Sequence, residues 1–371
     1  MMKRRSHTLL RFILLTIVAF CCALLFSAHA HAEENNSEQS GDGWSMSADG
    51  VFTVKNDQGW VDCLKNGYEV NVKKLIIGKD VTIFRMYEVS KEAPTADFYD
   101  PSEIAGYDRF GKPYYEYAGA SGLYPIKIEV EAGNPIFRAV DGLLINTETN
   151  ELVLSEVGVT DIVIPEGVKT ITREAFSKRG VLTVQFPSTL TTIGEGAFSK
   201  CDNLKSVVFP DSLTTLRAGS FSGCMSLQNV SLPKGLLVLD GYVFNECPIQ
   251  HIEIPDTVEE VGSYAFLACD QLLQVSLPNG LKRIKTGSFS GCNQLQQINF
   301  PDQLKSIGEQ AFCGCYGLKQ VILPDSLQEV GNKAFWRCNL SILRIPNRLV
   351  FPIYSFKRNE LIVNPNSKSD K

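Results

Sequence analysis

The chain has 371 residues, with 36 basic against 41 acidic side chains and a formal net charge of −5. That balance excludes the basic footprint a nucleic-acid binder needs to neutralise phosphates. The four histidines fall at positions 7, 29, 31 and 251, which leaves Ser-His or Cys-His catalysis and His-rich metal sites almost no material.

Residues 1–32 read as a signal peptide. Lys3, Arg4, Arg5 and Arg11 give a basic start, Phe12 to Phe26 is uncharged and mostly apolar, and Ala28-His29-Ala30 and Ala30-His31-Ala32 are small-residue cleavage patterns. Cleavage is expected after Ala32. An uncleaved anchor is the alternative, although the apolar run of 15 residues is short of the roughly 20 that cross a bilayer as a helix. Cys21 and Cys22 raise lipidation as a further alternative, against which stands Phe20, where such sites carry a small residue. Removing four basic residues with the leader leaves 32 basic against 41 acidic residues, and His251 as the one histidine. No later apolar span follows, so no stable membrane span is expected in the mature chain.

Residues 33–43 form a polar linker. Residues 86–124 break the pattern found elsewhere. They hold seven of the 12 tyrosines, among them Tyr99, Tyr107, Tyr114, Tyr115 and Tyr117, with Gly106, Gly111, Gly119 and Gly122 between them. Tyrosine suits a contact surface because it offers a large ring at low entropic cost together with a polar tip. The same rings would also serve as a cap over the first rungs, and both readings stand.

Residues 159–356 repeat. Prolines recur at 165, 187, 210, 233, 255, 278, 301, 324 and 346, and phenylalanines at 176, 198, 221, 244, 266, 289, 312 and 335, always 22 or 23 residues apart. A period of this length marks a leucine-rich-repeat solenoid. In one copy Leu318, Val321 and Leu323 have the spacing of a short strand with one buried face. Pro324 ends the strand for want of an N–H, and Pro324-Asp325 begins a tight turn. The acidic column after the prolines also invites a calcium reading, but it lacks a dense ligand loop. Leu327 and Val330 return the chain inward, Gly331 permits a bend, and Ala334-Phe335 sits on a short helical turn. The expected fold is a β-rich solenoid of short strands and helical turns. One rung cannot bury its own flanks, so the array is stable only by stacking. Residues 357–371 are a polar tail.

Cys201, Cys224, Cys247, Cys269, Cys292, Cys315 and Cys338 occupy one position per rung. Buried cysteine behaves as a small hydrophobe, so reduced thiols are expected. Export favours the alternative of disulfides between rungs. Cys63 and Cys313 lie outside this ladder.

The order Ile-Pro, Ile-Gly, Ala-Phe-x-x-Cys resembles the BspA-type leucine-rich repeats of bacterial and protist surface proteins. The resemblance extends forward. Trp44 to Val54 is similar to that family's opening hairpin, Val72 to Val81 to a first rung with Gly78 for proline, and Asn134-Pro135-Ile136-Phe137 with Asp141 to Ile145 to its longer irregular repeat. It implies a cap and first rung over residues 44–85, an insertion over 86–124 and an irregular repeat over 125–158. Arg179 departs from it, standing where the first regular repeat should carry cysteine. The family is associated with adhesion, which leaves the ligand open because a repeat specifies a scaffold.

The expected function is that of a secreted or cell-surface scaffold for an extracellular protein or glycan, without cofactor or metal. Gln185, Gln228, Asn229, Gln250, Gln274, Gln296, Gln297, Asn299 and Gln320 line up across successive strands. Gln228, Gln250, Gln274 and Gln297, with the five tyrosines named above, are the candidate ligand contacts. A solvated strand face is the alternative for the amides. The alternative function is a secreted glycoside hydrolase with paired carboxylates, since acidic residues occur throughout. His251 alternates with apolar neighbours as an exposed strand residue does. No HExxH, P-loop or nucleophile-elbow motif occurs.

Overall fold

The computed structural model describes residues 39–41, 43–56, 74–81, 106–107, 113–114, 125–352 and 354–356. Each regular rung supplies two strands. A leading strand precedes the proline: Asp161–Val163, Thr183–Gln185, Ser206–Val208, Asn229–Ser231, His251–Glu253, Gln274–Ser276, Gln297–Ile298, Gln320–Ile322 and Ile342–Arg344. A return strand of two residues follows the turn, from Thr170–Ile171 in the first regular rung to Glu329–Val330 in the last complete one. Pairing between neighbouring rungs is parallel and in register, as in His251↔Gln274 and Thr192↔Thr215. The middle residue of each leading strand turns inward and its two neighbours turn out, as a period of two requires.

Between the two strands the proline carbonyl accepts the N–H three residues on, as in Leu327 N to Pro324 O at 3.1 Å. In two rungs the acidic side chain after the proline caps the next rung: Glu166 Oε1 accepts the Ser188 N–H and Asp256 Oδ1 the Asn279 N–H, both at 3.0 Å. These two carboxylates bond across to the following turn instead of to their own backbone. The glycines after the return strands make room between rungs. A Cβ on Gly194 would lie 2.6 Å from the Ile171 carbonyl of the preceding rung, and one on Gly331 would run into the backbone of Glu309.

The corner around each phenylalanine is the densest part of the rung. Its N–H groups alternate in direction. Glu174, Phe176 and Lys178 donate to Glu195, Ala197 and Ser199 of the next rung at 2.7 to 2.9 Å, while Ser177 N closes a turn on Glu174 O at 3.0 Å. The alternation needs left-handed backbone two residues before and two after each phenylalanine, and the φ values there run from 54° at Glu174 to 78° at Gly291. Such residues interrupt a right-handed helix. The helical turns expected from the sequence therefore take the form of consecutive tight turns. Inside them the rings of Phe176, 198, 221, 244, 266, 289, 312, 335 and 356 form one stack, with neighbouring centroids 4.8 to 5.8 Å apart and planes within 21°.

The ladder cysteines are buried, reduced thiols. Each bonds to the previous rung: Cys201 Sγ to Phe176 O at 3.2 Å, Cys269 Sγ to Phe244 O at 3.0 Å, Cys338 Sγ to Phe312 O at 3.1 Å. Burial pushes the Cys201, Cys247, Cys269 and Cys315 thiols far above the ordinary thiol range. Arg179 occupies the same position and reaches further. Its Nε donates to Ser155 Oγ at 3.3 Å and its Nη2 to Ser155 O at 3.1 Å, although the residue is buried. Ser155 stands where later rungs place phenylalanine, since its N–H bonds to Ala175 O as Phe176 N bonds to Ala197 O. The irregular rung has serine in place of the ring, and the arginine bonds both to the carbonyl at the position a ladder thiol uses and to the Ser155 hydroxyl.

The front of the chain is a separate five-stranded sheet. Gln39–Gly41, Trp44–Met46 and Val51–Asn56 run antiparallel, then Val51–Asn56 pairs parallel with Lys74–Asp80 and that with Lys127–Val130. Trp44, Met46, Phe52, Val54, Leu75, Ile77 and Ile128 fill its core. Residues 86–124 fall between the last two parallel strands. Asn134 holds the base of this crossover: its Nδ2 donates to Gly78 O and Val81 O at 2.8 and 2.9 Å, and its Oδ1 accepts Ile136 N and Phe137 N at 2.9 and 2.7 Å. Phe137–Val140 and Leu143–Asn146 then form a hairpin, and Glu151–Ser155 joins it to the first return strand. Residues 1–38, the candidate linker for the most part, Cys63 and the tail from 357 lie outside the described residues.

Two outcomes test this architecture. Phe266→Ala removes a fully buried ring between Phe244 and Phe289 and should lower the unfolding free energy by about 3–5 kcal/mol in chemical denaturation. Intact mass of unreduced protein should show no bridge between ladder cysteines, and alkylation of those thiols should stay slow at pH 9 until denaturant is added.

Candidate functional site

The leading strands form a shallow face of three exposed columns. Gln274 and Gln297 are cross-strand partners in the middle column, beside His251. Gln228 and Gln250 sit one residue before their strands, in a neighbouring column with Gln296, while Gln185 and Asn299 lie in the third. The amides expected in one line thus occupy three adjacent lines, all exposed. Their backbones are pinned from rung to rung, as by Gln228 N to Lys205 O at 3.0 Å and Gln296 N to Leu273 O at 3.1 Å. A further amide pair flanks the face where Gln294 Nε2 donates to Gln271 Oε1 at 3.1 Å.

The face is zoned along its length. Exposed aliphatic side chains lie toward its ends, Val163, Leu182 and Val208 at one and Ile322 and Ile342 at the other. The middle rungs carry amides and the hydroxyls of Ser231 and Ser276. His251 is exposed there, in register with Gln274. The hydroxyls and the aliphatic ends were not singled out from sequence. The signal for them was available, because each residue two positions from an exposed amide must share its face.

The return face is different. Thr170, Thr192 and Thr215 are aligned in register in its first rungs. Further along, Lys282 pairs with Glu259 at 2.7 Å and Lys285 with Glu260 at 3.1 Å, and Arg283 also bonds to Glu260. Burial of Glu260 acts to raise its pKa, but the bonds from Arg283 and Lys285 outweigh it and hold the carboxyl below its usual range. These charges are used between rungs.

The paired-carboxylate reading finds its nearest material at Glu174, Glu195 and Asp240. Burial raises the pKa of Glu195, Arg173 opposes the rise, and Glu174 and Asp240 add to it. Arg173 lies 3.5 Å from both Glu174 and Glu195, and Arg217 lies 3.7 Å from Asp240. These carboxylates are engaged in ion pairs, of which Arg173–Glu195 and Arg217–Asp240 tie one rung to the next. Among the described residues no group of three His, Cys, Asp or Glu side chains is placed to hold a metal ion, and no helix is long and apolar enough to cross a membrane.

Of the tyrosines, Tyr107 and Tyr114 fall in a short antiparallel pair, Gly106–Tyr107 with Pro113–Tyr114. Tyr99, Tyr115 and Tyr117 lie outside the described residues.

A model of the BspA type leucine-rich repeat region matches in six copies over residues 150–269 and 238–362. The chain belongs to the BspA-type leucine-rich repeat family. Among solved structures, this BspA-type chain is similar to a leucine-rich repeat protein from Bacteroides ovatus, with 29% identity over 58% of each chain and a TM-score of 0.51. It shares the fold of a leucine-rich repeat protein from Eubacterium ventriosum, with 23% identity, 76% of this chain, 63% of that one and a TM-score of 0.52. The match spans about three fifths of the length of either relative. No curated protein matches.

The charge cluster of this BspA-type solenoid yields a pH test. Because the folded-state pKa of Glu195 is raised, its ionised form weakens the fold above that pKa, and the penalty disappears below the unfolded value. Glu195→Gln should raise the unfolding midpoint slightly at pH 7, by less than about 1 kcal/mol because solvent screens a carboxylate this exposed. The gain should vanish as the pH falls through the carboxylate range, which thermal scans between pH 3 and 7 would show.

Proposed function

We propose that the protein is an exported, non-catalytic binding scaffold that meets an extracellular macromolecule with its leading face. One observation carries this reading. The middle of that face is an exposed, in-register set of polar side chains, uncharged amides and serines with His251 and the single carboxylate Glu253 among them, on a backbone bonded to both neighbouring rungs. Such a surface holds its contact groups at fixed spacing before any ligand arrives, which reduces the ordering cost of binding. Repeat arrays characteristically bind along extended faces. Export is supported by the basic and apolar leader with its small-residue cleavage patterns.

The tyrosine-rich insertion is proposed as a second contact. Its base is tied down by Asn134 on the Gly78 and Val81 carbonyls, and long loops on rigid scaffolds are where contact residues concentrate.

Binding of the exported chain to immobilised matrix proteins and glycans tests the reading. Gln250→Arg combined with Gln274→Arg should weaken the best ligand at least about tenfold, equivalent to about 1.4 kcal/mol, with the thermal midpoint moved by no more than a degree or two. Deleting Ala96 to Ala118 should also weaken binding in a protein that melts normally. A loss of stability with affinity intact would make the insertion a cap, and turnover in a broad hydrolase screen would refute the non-catalytic assignment.

A further inference from the structure

We infer that the ligand of the middle leading face is a neutral glycan chain lying along the solenoid axis. The inference rests on the proposed binding role of that face and names the chemistry it recognises.

Charge is the first discriminator. Across the four rungs from Asn229 to Asn299, the outward positions of the leading strands hold amides, serines, His251 and Glu253, and no lysine or arginine. A phosphate or sulfate polymer would find no cationic partner there. The second discriminator is the missing anchor. Protein interfaces concentrate their energy in tryptophan, tyrosine and arginine seated in pockets. The outward strand positions of these rungs contain none of the three, and the exposed aliphatic residues Val208 and Ile322 stand outside them.

What remains fits a polyol. A glutamine head offers two N–H donors and a carbonyl acceptor, and a sugar hydroxyl both donates and accepts, so each amide can hold hydroxyls in complementary pairs. The third column offers hydroxyl and amide groups at Ser231, Ser276 and Asn299, with the acceptor carboxylate of Glu253 between the two serines. Spacing gives the direction. Gln274 and Gln297 are Cα partners, so the amide recurs at the strand separation of about 4.8 Å. A chain laid along the axis meets an amide at Asn229, Gln274 and Gln297 and the His251 ring between them. A polymer of identical units satisfies that repetition, and a folded protein surface does not.

Each rung then contributes little, since a hydroxyl exchanges hydrogen bonds with water for hydrogen bonds with an amide. Affinity must come from joining several such contacts. The inference therefore demands dependence on chain length.

The test titrates the exported protein with β-1,4-linked gluco-oligosaccharides of one to six units, and measures its retention in gels containing neutral glucan, mannan, xylan or galactan, with polygalacturonate as the charged control. Retention is expected on at least one neutral polymer, with affinity for its oligosaccharides rising about tenfold or more from two to six units and little changed by salt. Gln274→Ala with Gln297→Ala should abolish retention, and Thr192→Arg on the return face should not. No retention on any neutral polymer overturns the inference. If a protein ligand is then found whose binding is lost in the Gln274 and Gln297 double variant, the binding role of the face survives and only the glycan assignment falls. If every ligand found binds the double variant normally, the role of the face falls with it.

Discussion

A corner that cannot satisfy its own backbone is the constraint on which this molecule depends. Around each phenylalanine, three N–H groups point out of the rung and find acceptors only in the next one. Holding them there requires two left-handed residues per corner, and ten of the sixteen are not glycine. Each of those ten costs roughly 1–2 kcal/mol of backbone strain, which a lone rung has no means to offset. Stacking supplies the missing acceptors and brings the rings face to face at about the same interval. The ladder thiols add a donor from the opposite side of the joint, from Cys224 to Phe198 O and from Cys247 to Phe221 O. Cooperativity between neighbours follows from this geometry.

The same constraint leaves the outward positions unconstrained. Val275 must stay apolar because it faces the core, but Gln274 and Ser276 on either side of it are exposed. Core and surface are thereby separated within a single strand, residue by residue. Charge has settled on the return face and corners, where Arg283 and Glu260 or Arg173 and Glu195 link one rung to the next. The leading face is left with mostly uncharged polar groups and Glu253 in its middle, and with aliphatic ones toward its ends.

Much of this was legible in the sequence because the prolines, phenylalanines and cysteines are fixed points of the rung. The leading strands follow from the apolar residue between two polar ones, and the buried ring and thiol ladders from their period. The return strands were not legible, since two residues such as Glu329-Val330 carry no alternation. Ala334-Phe335 suggests a helical turn, but Lys333 and Arg337 on either side of it are left-handed, which nothing in their side chains signals. Gly331 was read as a bend, although its task is to let the backbone of the preceding rung approach. The amide columns were found but merged: Gln250 falls before its strand and Gln274 within its own, a one-residue offset that composition does not register. Arg179 was visible as an exception, and its reason emerged only with Ser155 beneath it.

The direction of the corner bonds has an electrical consequence. From Glu174 to Phe335, every such N–H points toward the following rung and every matching carbonyl points back. Peptide dipoles aligned in this way add rather than cancel. The column of corners acts as an extended dipole whose positive pole lies at the C-terminal end, the reverse of an α-helix. Along the column of corners the two ends are therefore unlike, acceptors facing one way and donors the other, while N–H groups at the return strands, such as those of Thr172 and Gly194, point back to the preceding rung. A second solenoid, or any polar backbone, could extend the stack only head to tail.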